Sequence, residues 1–300
     1  MNKLHRTAPE NVIVTVAAGC DEEQIRPFIA SLQCFSPNAS ILLIVDRHNP
    51  EFERAIRARF PGCAFYLLPR SPLRDFALKR KWARSILKRI ARWTGSRHLA
   101  RRLLKINFLR HIVIRDVLAG LKLDHSNILL CDSRDIVFQS DPFSGQWPLL
   151  WTCEEDKCIG ECGFNGPIFK RVSGETAFLK AKHSRIVCAG VIGGRADHIA
   201  RYLECSSQIV ENLAPRIALM DGDQGIHNYL AWLRPDLGMT VLPNGCPVAH
   251  LGHTDPNNLI IENGAARLRK KIEAPAILHQ YDRHPKLVAF VQARWGAAKS

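Results

Sequence analysis

Asn11–Gln24 reads NVIVTVAAGCDEEQ. Its β-branched opening has the composition of a buried strand, and Ala17, Ala18 and Gly19 then give the chain room to turn. A helix is expected from Glu22 through Gln33. The pattern repeats downstream: Ile41–Val45 reads as a second strand ending at Asp46, Pro50–Phe60 as a helix, and Ala64–Leu68 as a third strand before Pro69. Strand, helix, strand, helix, strand in close succession is the signature of a parallel sheet with crossover helices, so the fold class is α/β. A nucleotide binds such a sheet at the carboxyl ends of its strands. No GxGxxG follows the first strand and no GxxxxGK[ST] occurs anywhere, so the dinucleotide-dehydrogenase and P-loop readings lose their anchors.

The 300 residues suffice for one large domain, and 46% hydrophobic with 23% charged residues excludes a disordered chain, a fibrous repeat and a small disulfide scaffold. Forty-two Lys and Arg against 28 Asp and Glu leave a net charge of +14, which implies attraction to something anionic: nucleic acid, an acidic membrane surface or a phosphorylated substrate. No apolar run approaches the roughly 18–20 residues that span a bilayer. The opening MNKLHRTAPENV has no apolar core and no cleavage site, so it does not read as a secretory signal. The ten cysteines are therefore expected to be reduced, and the protein cytoplasmic. Cys153, Cys158 and Cys162 cluster, but the second ligand pair of a structural zinc site is missing, so they read as packed thiols rather than a metal centre.

Between Lys79 and Arg115 stand thirteen Lys and Arg, and no Asp or Glu. Trp82, Ile86, Ile90 and Trp93 recur at helical spacing beside Ala83 and Leu87, which predicts an amphipathic basic helix. Thr94-Gly95-Ser96 breaks it, and a second helix is expected from Leu99 to Leu118. A basic helix with tryptophan on its apolar face suits an anionic membrane interface; alternatively, the stripe packs on the protein's own core. No base-reading motif accompanies the charge, which argues against nucleic acid.

The buried strand Asn127–Cys131 runs into Asp132-Ser-Arg-Asp135-Ile-Val-Phe138. Two carboxylates at a strand's carboxyl end, three positions apart, can meet across a turn and hold a hard divalent cation, which in turn grips a diphosphate. Three further stretches follow. SRIVCAGVIGG (Ser184–Gly194) reads as an apolar turn rich in small residues. Asp221-Gly-Asp223-Gln224 precedes a helix, and ILHQYDRHPK spans Ile277–Lys286.

In this order the set resembles the GT-A fold of nucleotide-sugar glycosyltransferases, closest in style to the glycogenin and lipopolysaccharide galactosyltransferase groups, with a DxxD variant of their DxD motif. The resemblance runs from about Val12 to Lys286 and leaves a basic helical insertion at 70–118 uncovered within one domain, 1–300. It implies a mixed, mainly parallel Rossmann-like sheet and a metal-dependent transferase that moves a sugar, from UDP by family habit, to a hydroxyl acceptor such as a cell-envelope glycan or glycolipid. Mn²⁺ or Mg²⁺ would sit on Asp132, Asp135 and His279, with His250 and His253 as rivals for the histidine ligand. Thr15, Ala17, Ala18 and Asp46 would face the nucleoside; Arg110, Asp132 and Lys286 the diphosphate; Ala189 and Gly190 the donor sugar, with Cys188 standing where relatives carry asparagine. Asp223 and Gln224 would be catalytic, with retention of configuration expected; in an inverting enzyme Asp223 or Asp221 would be the base. The basic segment would then dock the enzyme peripherally on the inner face of a membrane. The alternatives are a nucleic-acid- or membrane-binding protein acting through residues 79–115, or a nucleotidyltransferase. The last would carry a Gly-rich basic loop after the first strand, where this chain is acidic.

Overall fold

Alternation along the strands divides the core in two. In β1 (Asn11–Val16), Val12 and Val14 face one side of the sheet and Ile13 the other, all fully buried. β2 (Ser40–Val45) repeats this, with Leu42 and Ile44 on the first side and Ile41, Leu43 and Val45 on the second, because successive side chains leave a strand on opposite faces. Helices α1 (Glu22–Phe35) and α2 (Pro50–Arg59) cover the second side. The first starts on a capping box between Asp21 and Gln24, the second on Asn49 with Pro50 in its first turn. β3 (Ala64–Leu67) completes the parallel half.

This computed structural model describes residues 9–296, so most of the stretch read as lacking an export signal lies outside the described residues. Four helices follow β3: α3 (Pro72–Lys79), α4 (Lys81–Thr94), α5 (Arg97–Arg102) and α6 (Ile106–Ala119). Then come β4 (Asn127–Cys131), β5 (Ile136–Phe138), β6 (Leu150–Cys158), α7 (Asn165–Ser173), α8 (Glu175–Ala181), β7 (Arg185–Arg195), α9 (Ala196–Ile217) and α10 (Gln224–Leu233). The chain ends through β8 (Thr240–Leu242), β9 (Val248–His250), β10 (Leu259–Glu262), β11 (Ala265–Leu268), β12 (Ile277–His279) and α11 (Pro285–Val291).

The seven-stranded sheet has the order β3-β2-β1-β4-β7-β6-β8, in which β7 is antiparallel to both neighbours and the other pairings are parallel. With helices on both faces, this is an α/β fold around a mixed, mainly parallel sheet. A small sheet, β5-β12-β9, lies against α1, where the Phe138 N–H donates to Ser31 Oγ at 3.0 Å. Among the described residues, no helix is long and apolar enough to cross a membrane.

Two local expectations are corrected. The helix expected over Leu99–Leu118 is two helices, α5 and α6, parted at Leu103–Lys105. Leu103 and Leu104 are wholly buried, and the Leu103 carbonyl accepts from the Leu219 N–H at 2.9 Å. A tertiary contact has taken over a helical acceptor. The small-residue stretch Ser184–Gly194 is no turn: Arg185–Arg195 is the eleven-residue strand β7. Its glycines mark close approaches within the sheet, as glycine in a strand interior commonly does.

Candidate active site

Parallel pairing of Thr15 with Cys131 sets the end of β1 beside the end of β4, so Asp132 and Asp135 emerge at the carboxyl edge of the sheet. The chain then returns as β5, and β12 pairs with it antiparallel, bringing His279 opposite Ile136. The Gln280 N–H donates to the Asp135 carbonyl at 2.8 Å, which closes the junction. His279 Nε2 consequently lies 3.5 Å from Asp132 and 3.7 Å from Asp135. One ligand atom from each of the three residues falls within 4.8 Å of the others.

These residues fit a divalent cation. His279 is 1% exposed, and its Nε2 is buried with no hydrogen-bond partner while facing two carboxylates. Its Nδ1 is 2.8 Å from Nδ1 of His250, which pairs with it across β12 and β9. Burial and the neighbouring His279 push the His250 pKa well below its ordinary value. A neutral His250 can share one hydrogen bond with His279 Nδ1, and His279 would then meet a metal ion through Nε2, the nitrogen that faces the acids. Such outer contacts commonly fix the tautomer of a metal-binding histidine. His250 thus supports the ligand instead of competing with it, and His253 pairs elsewhere, 3.4 Å from Glu155.

The charges are arranged unequally. Burial works against ionised Asp132, but Arg110 and His279 hold its pKa below the usual carboxylate range. Burial raises Asp135, with Asp132 adding to the effect. For His279, burial favours the neutral ring, yet Asp135 and Asp132 raise its pKa overall. A proton therefore competes with a cation for His279, and more strongly as pH falls. Mn²⁺ affinity, measured calorimetrically, is expected to weaken on the order of tenfold from about pH 8 to about pH 6. A flat profile would remove His279 from the ligand set.

Gly190 is the closest backbone approach. It lies beside Asp132, whose N–H donates to the Gly190 carbonyl at 2.9 Å. A Cβ there would fall on the His279 ring, 2.6 Å from Nε2, and 2.9 Å from Asp132 Oδ2. Gly190→Ala must displace both groups. We expect it to abolish Mn²⁺ binding in calorimetry while far-ultraviolet circular dichroism stays native; unaltered binding would show that the ring and carboxylate yield freely.

A cavity of about 210 Å³ opens beside these groups, lined by Asn107, Arg110, Asp132, Phe164, Cys188, Ala189, Gly190, Gly222, Asp223, Gln224, His279 and Gln280. The structure thus brings together eight residues singled out in the sequence, Arg110, Asp132, Cys188, Ala189, Gly190, Asp223, Gln224 and His279, whereas Asp135 meets Asp132 and His279 off the cavity wall. Arg110 does not point at open space. Its guanidinium donates to Asp132 Oδ1 at 2.6 Å and to the Ala189 carbonyl at 3.2 Å, and forms an ion pair with Asp223 at 2.6 Å. It clamps two site carboxylates. Asp223 is buried; burial alone would raise its pKa, but Arg110 and His111 hold it below the ordinary value.

The remaining candidates lie outside this cavity. Thr15 and Ala17 are buried, with Thr15 Oγ1 unpartnered; Ala18 is half-buried. Asp46 accepts from the Gly19 N–H at 3.1 Å across the ends of β1 and β2. Lys286 is exposed in the first turn of α11. The three clustered cysteines part company: Cys153 Sγ faces the Cys246 carbonyl, whereas Cys162 Sγ accepts from the Asn165 N–H.

Sequence reasoning missed Glu155. It is 3% exposed on β6, accepts from Gln224 Nε2 at 2.9 Å, and so fixes one of the candidate catalytic side chains. Its signal was an acid on the inward side of the run LWTCEEDKC. A carboxylate placed there is costly unless partnered.

No protein-family model matches this sequence, and no curated protein shows significant similarity to it.

Proposed function

We propose that the protein is a metal-dependent glycosyltransferase of the GT-A type, transferring a sugar from a nucleotide donor, UDP by the resemblance, to a hydroxyl of a carbohydrate or lipid-linked acceptor. One observation carries the reading: two carboxylates and an unpartnered imidazole converge at the carboxyl edge of the sheet, and Asp132 and His279 of that group line a cavity that also holds Asp223 and Gln224. The antiparallel β7 beside parallel β4 is compatible with that fold type.

Asp132, Asp135 and His279 would hold a divalent cation, which when bound offsets the charge of a leaving diphosphate. Arg110 keeps Asp132 and Asp223 ionised and in place. Glu155 orients Gln224 towards the cavity. Retention suits this arrangement better than inversion. A general base must be free to take a proton, whereas Asp223 is held by Arg110 and Asp221 by Lys105, each at 2.6 Å.

The test is a thermal-denaturation screen of nucleoside diphosphates and nucleotide sugars with and without Mn²⁺, followed by product analysis with the stabilising donor. Stabilisation that requires both Mn²⁺ and one nucleotide family supports the reading; absence of any nucleotide effect rejects it.

A further inference from the structure

The basic segment is two surfaces with different chemistry. In α5, α6 and their junction, four of the six Lys and Arg are neutralised, and only Arg97 and Arg102 lack a carboxylate partner among the described residues: Arg101 pairs with Asp116 and Glu211, Lys105 with Asp221, Arg110 with Asp132 and Asp223, and Arg115 with Asp116, Glu204 and Glu211. In the stretch from Lys79 to Arg92, none of Lys79, Arg80, Lys81, Lys88, Arg89 or Arg92 has a carboxylate partner among the described residues. Lys88 is pulled below its ordinary pKa by partial burial and by the positive charges of Arg84, Arg92, Lys105 and Arg171. An unneutralised cationic surface therefore flanks α4 and reaches the junction that holds Asp221.

The apolar side of α4 is only partly covered. Ala83 and Ala91 are buried and Leu87 half-buried, so this face seats the helix on the domain. The tryptophan stripe does not join them. Trp82 is 59% exposed and Trp93 88%, with Ile86 and Ile90 exposed between them. Phe76 of α3 extends the stripe, edge-on to Trp82 at 5.9 Å, and Leu78 is exposed too. Half of the large apolar side chains left exposed among the described residues thus fall between Phe76 and Trp93.

We propose that α3–α4 is a docking surface for an anionic lipid bilayer, with Trp82, Ile86, Ile90 and Trp93 entering the interface and Lys81, Arg89 and Arg92 meeting the headgroups. Tryptophan favours the headgroup level, and cations at an amphipathic helix gain from an anionic leaflet. A two-fold dimer through the same face would set the cations Lys81, Arg89 and Arg92 of one copy against the same cationic group of the other, which like charges oppose. The aliphatic Ile86 and Ile90 between the two tryptophans interrupt the aromatic platform that single-stranded nucleic acid would need. If the proposed transferase reading holds, docking also sets the cavity near the bilayer, where a lipid-linked acceptor would lie; the docking itself rests on α3–α4 alone.

The experiment is co-sedimentation of the full chain with vesicles of phosphatidylcholine alone and of equal parts phosphatidylcholine and phosphatidylglycerol. The protein is expected to sediment with the anionic vesicles and to stay in solution with the neutral ones, its tryptophan fluorescence shifting to the blue. Arg89→Glu with Arg92→Glu should weaken binding on the order of tenfold or more. Trp82→Ser with Trp93→Ser should leave only salt-sensitive binding and no blue shift; both variants should melt like the wild type. Lack of sedimentation with anionic vesicles overturns the proposal, as does a tryptophan variant that binds as well as the wild type. A wild-type dimer that the tryptophan variant makes monomeric assigns the stripe to a second copy and overturns it as well. Vesicle binding displaced by single-stranded RNA, with the tryptophans required for the RNA complex, assigns it to nucleic acid and does the same.

Discussion

Asp135→Asn is expected to abolish Mn²⁺-dependent stabilisation by the nucleotide donor while leaving the unliganded protein at least as stable. The substitution keeps the size and removes the charge. Asp135 is the less well neutralised acid of the pair: burial, Asp132 and Asp282 raise its pKa overall, against His279 and a backbone hydrogen bond. Its carboxylate gains most from a cation, and loses least from losing its own charge. In the wild type, donor at about 100 times its Kd adds about 2.7 kcal/mol, which raises the melting temperature by roughly 4 °C. In Asp135→Asn that shift should vanish with Mn²⁺ present, and transfer should fall with it. A full shift in the variant would place the cation elsewhere and remove the main support for the proposed activity.

Arg110→Met should produce the largest loss of stability. Arg110 lies between Asp132 and Asp223, 2.6 Å from each, with burial opposing its charge and the two acids sustaining it. Methionine fills much of the space but removes the guanidinium that both carboxylates contact. Breaking a buried pair in this way costs about 3–5 kcal/mol. Chemical denaturation at neutral pH measures it, with Arg110→Met/Asp223→Asn as the partner variant that should recover part of the loss. The pH dependence has a definite sign. In the wild type both carboxyls have depressed folded-state pKa values, so their contribution is present above the unfolded carboxylate range and lost as pH falls towards the folded values. Without Arg110, burial raises both, and protonation relieves the cost. The gap between wild type and variant should therefore narrow below about pH 4. A gap independent of pH would mean that Arg110 acts through packing alone.

Much of the architecture was legible locally. The β-branched runs at Asn11–Val16, Ser40–Val45 and Asn127–Cys131 became parallel neighbours, and Asp21 and Asn49 capped their helices where the patterns change period. Each depends on residues a few positions apart. The errors arose where distant chain intervened. Leu219 broke the helix expected across Leu103, and β4 and β6, pairing on either side, drew the small residues of Ser184–Gly194 into a strand. The periodicity of Trp82, Ile86, Ile90 and Trp93 identified a helix correctly, but could not say which part of its wide apolar face the domain would cover.

By itself the sequence determined the strand–helix alternation from Asn11 to Leu68, the pair Asp132 and Asp135 at a strand end, and the concentration of positive charge before them. These follow from dihedral preference, side-chain periodicity and composition, which act along the chain. Only the tertiary structure decided that β12 returns beside β5 to present His279, that Arg110 is bound to two acids, that Glu155 holds Gln224, and that Arg101, Lys105, Arg110 and Arg115 are neutralised whereas the cations of α4 are not. Those outcomes depend on which elements become neighbours in the sheet and against it, and that is set by burying both faces of seven strands at once.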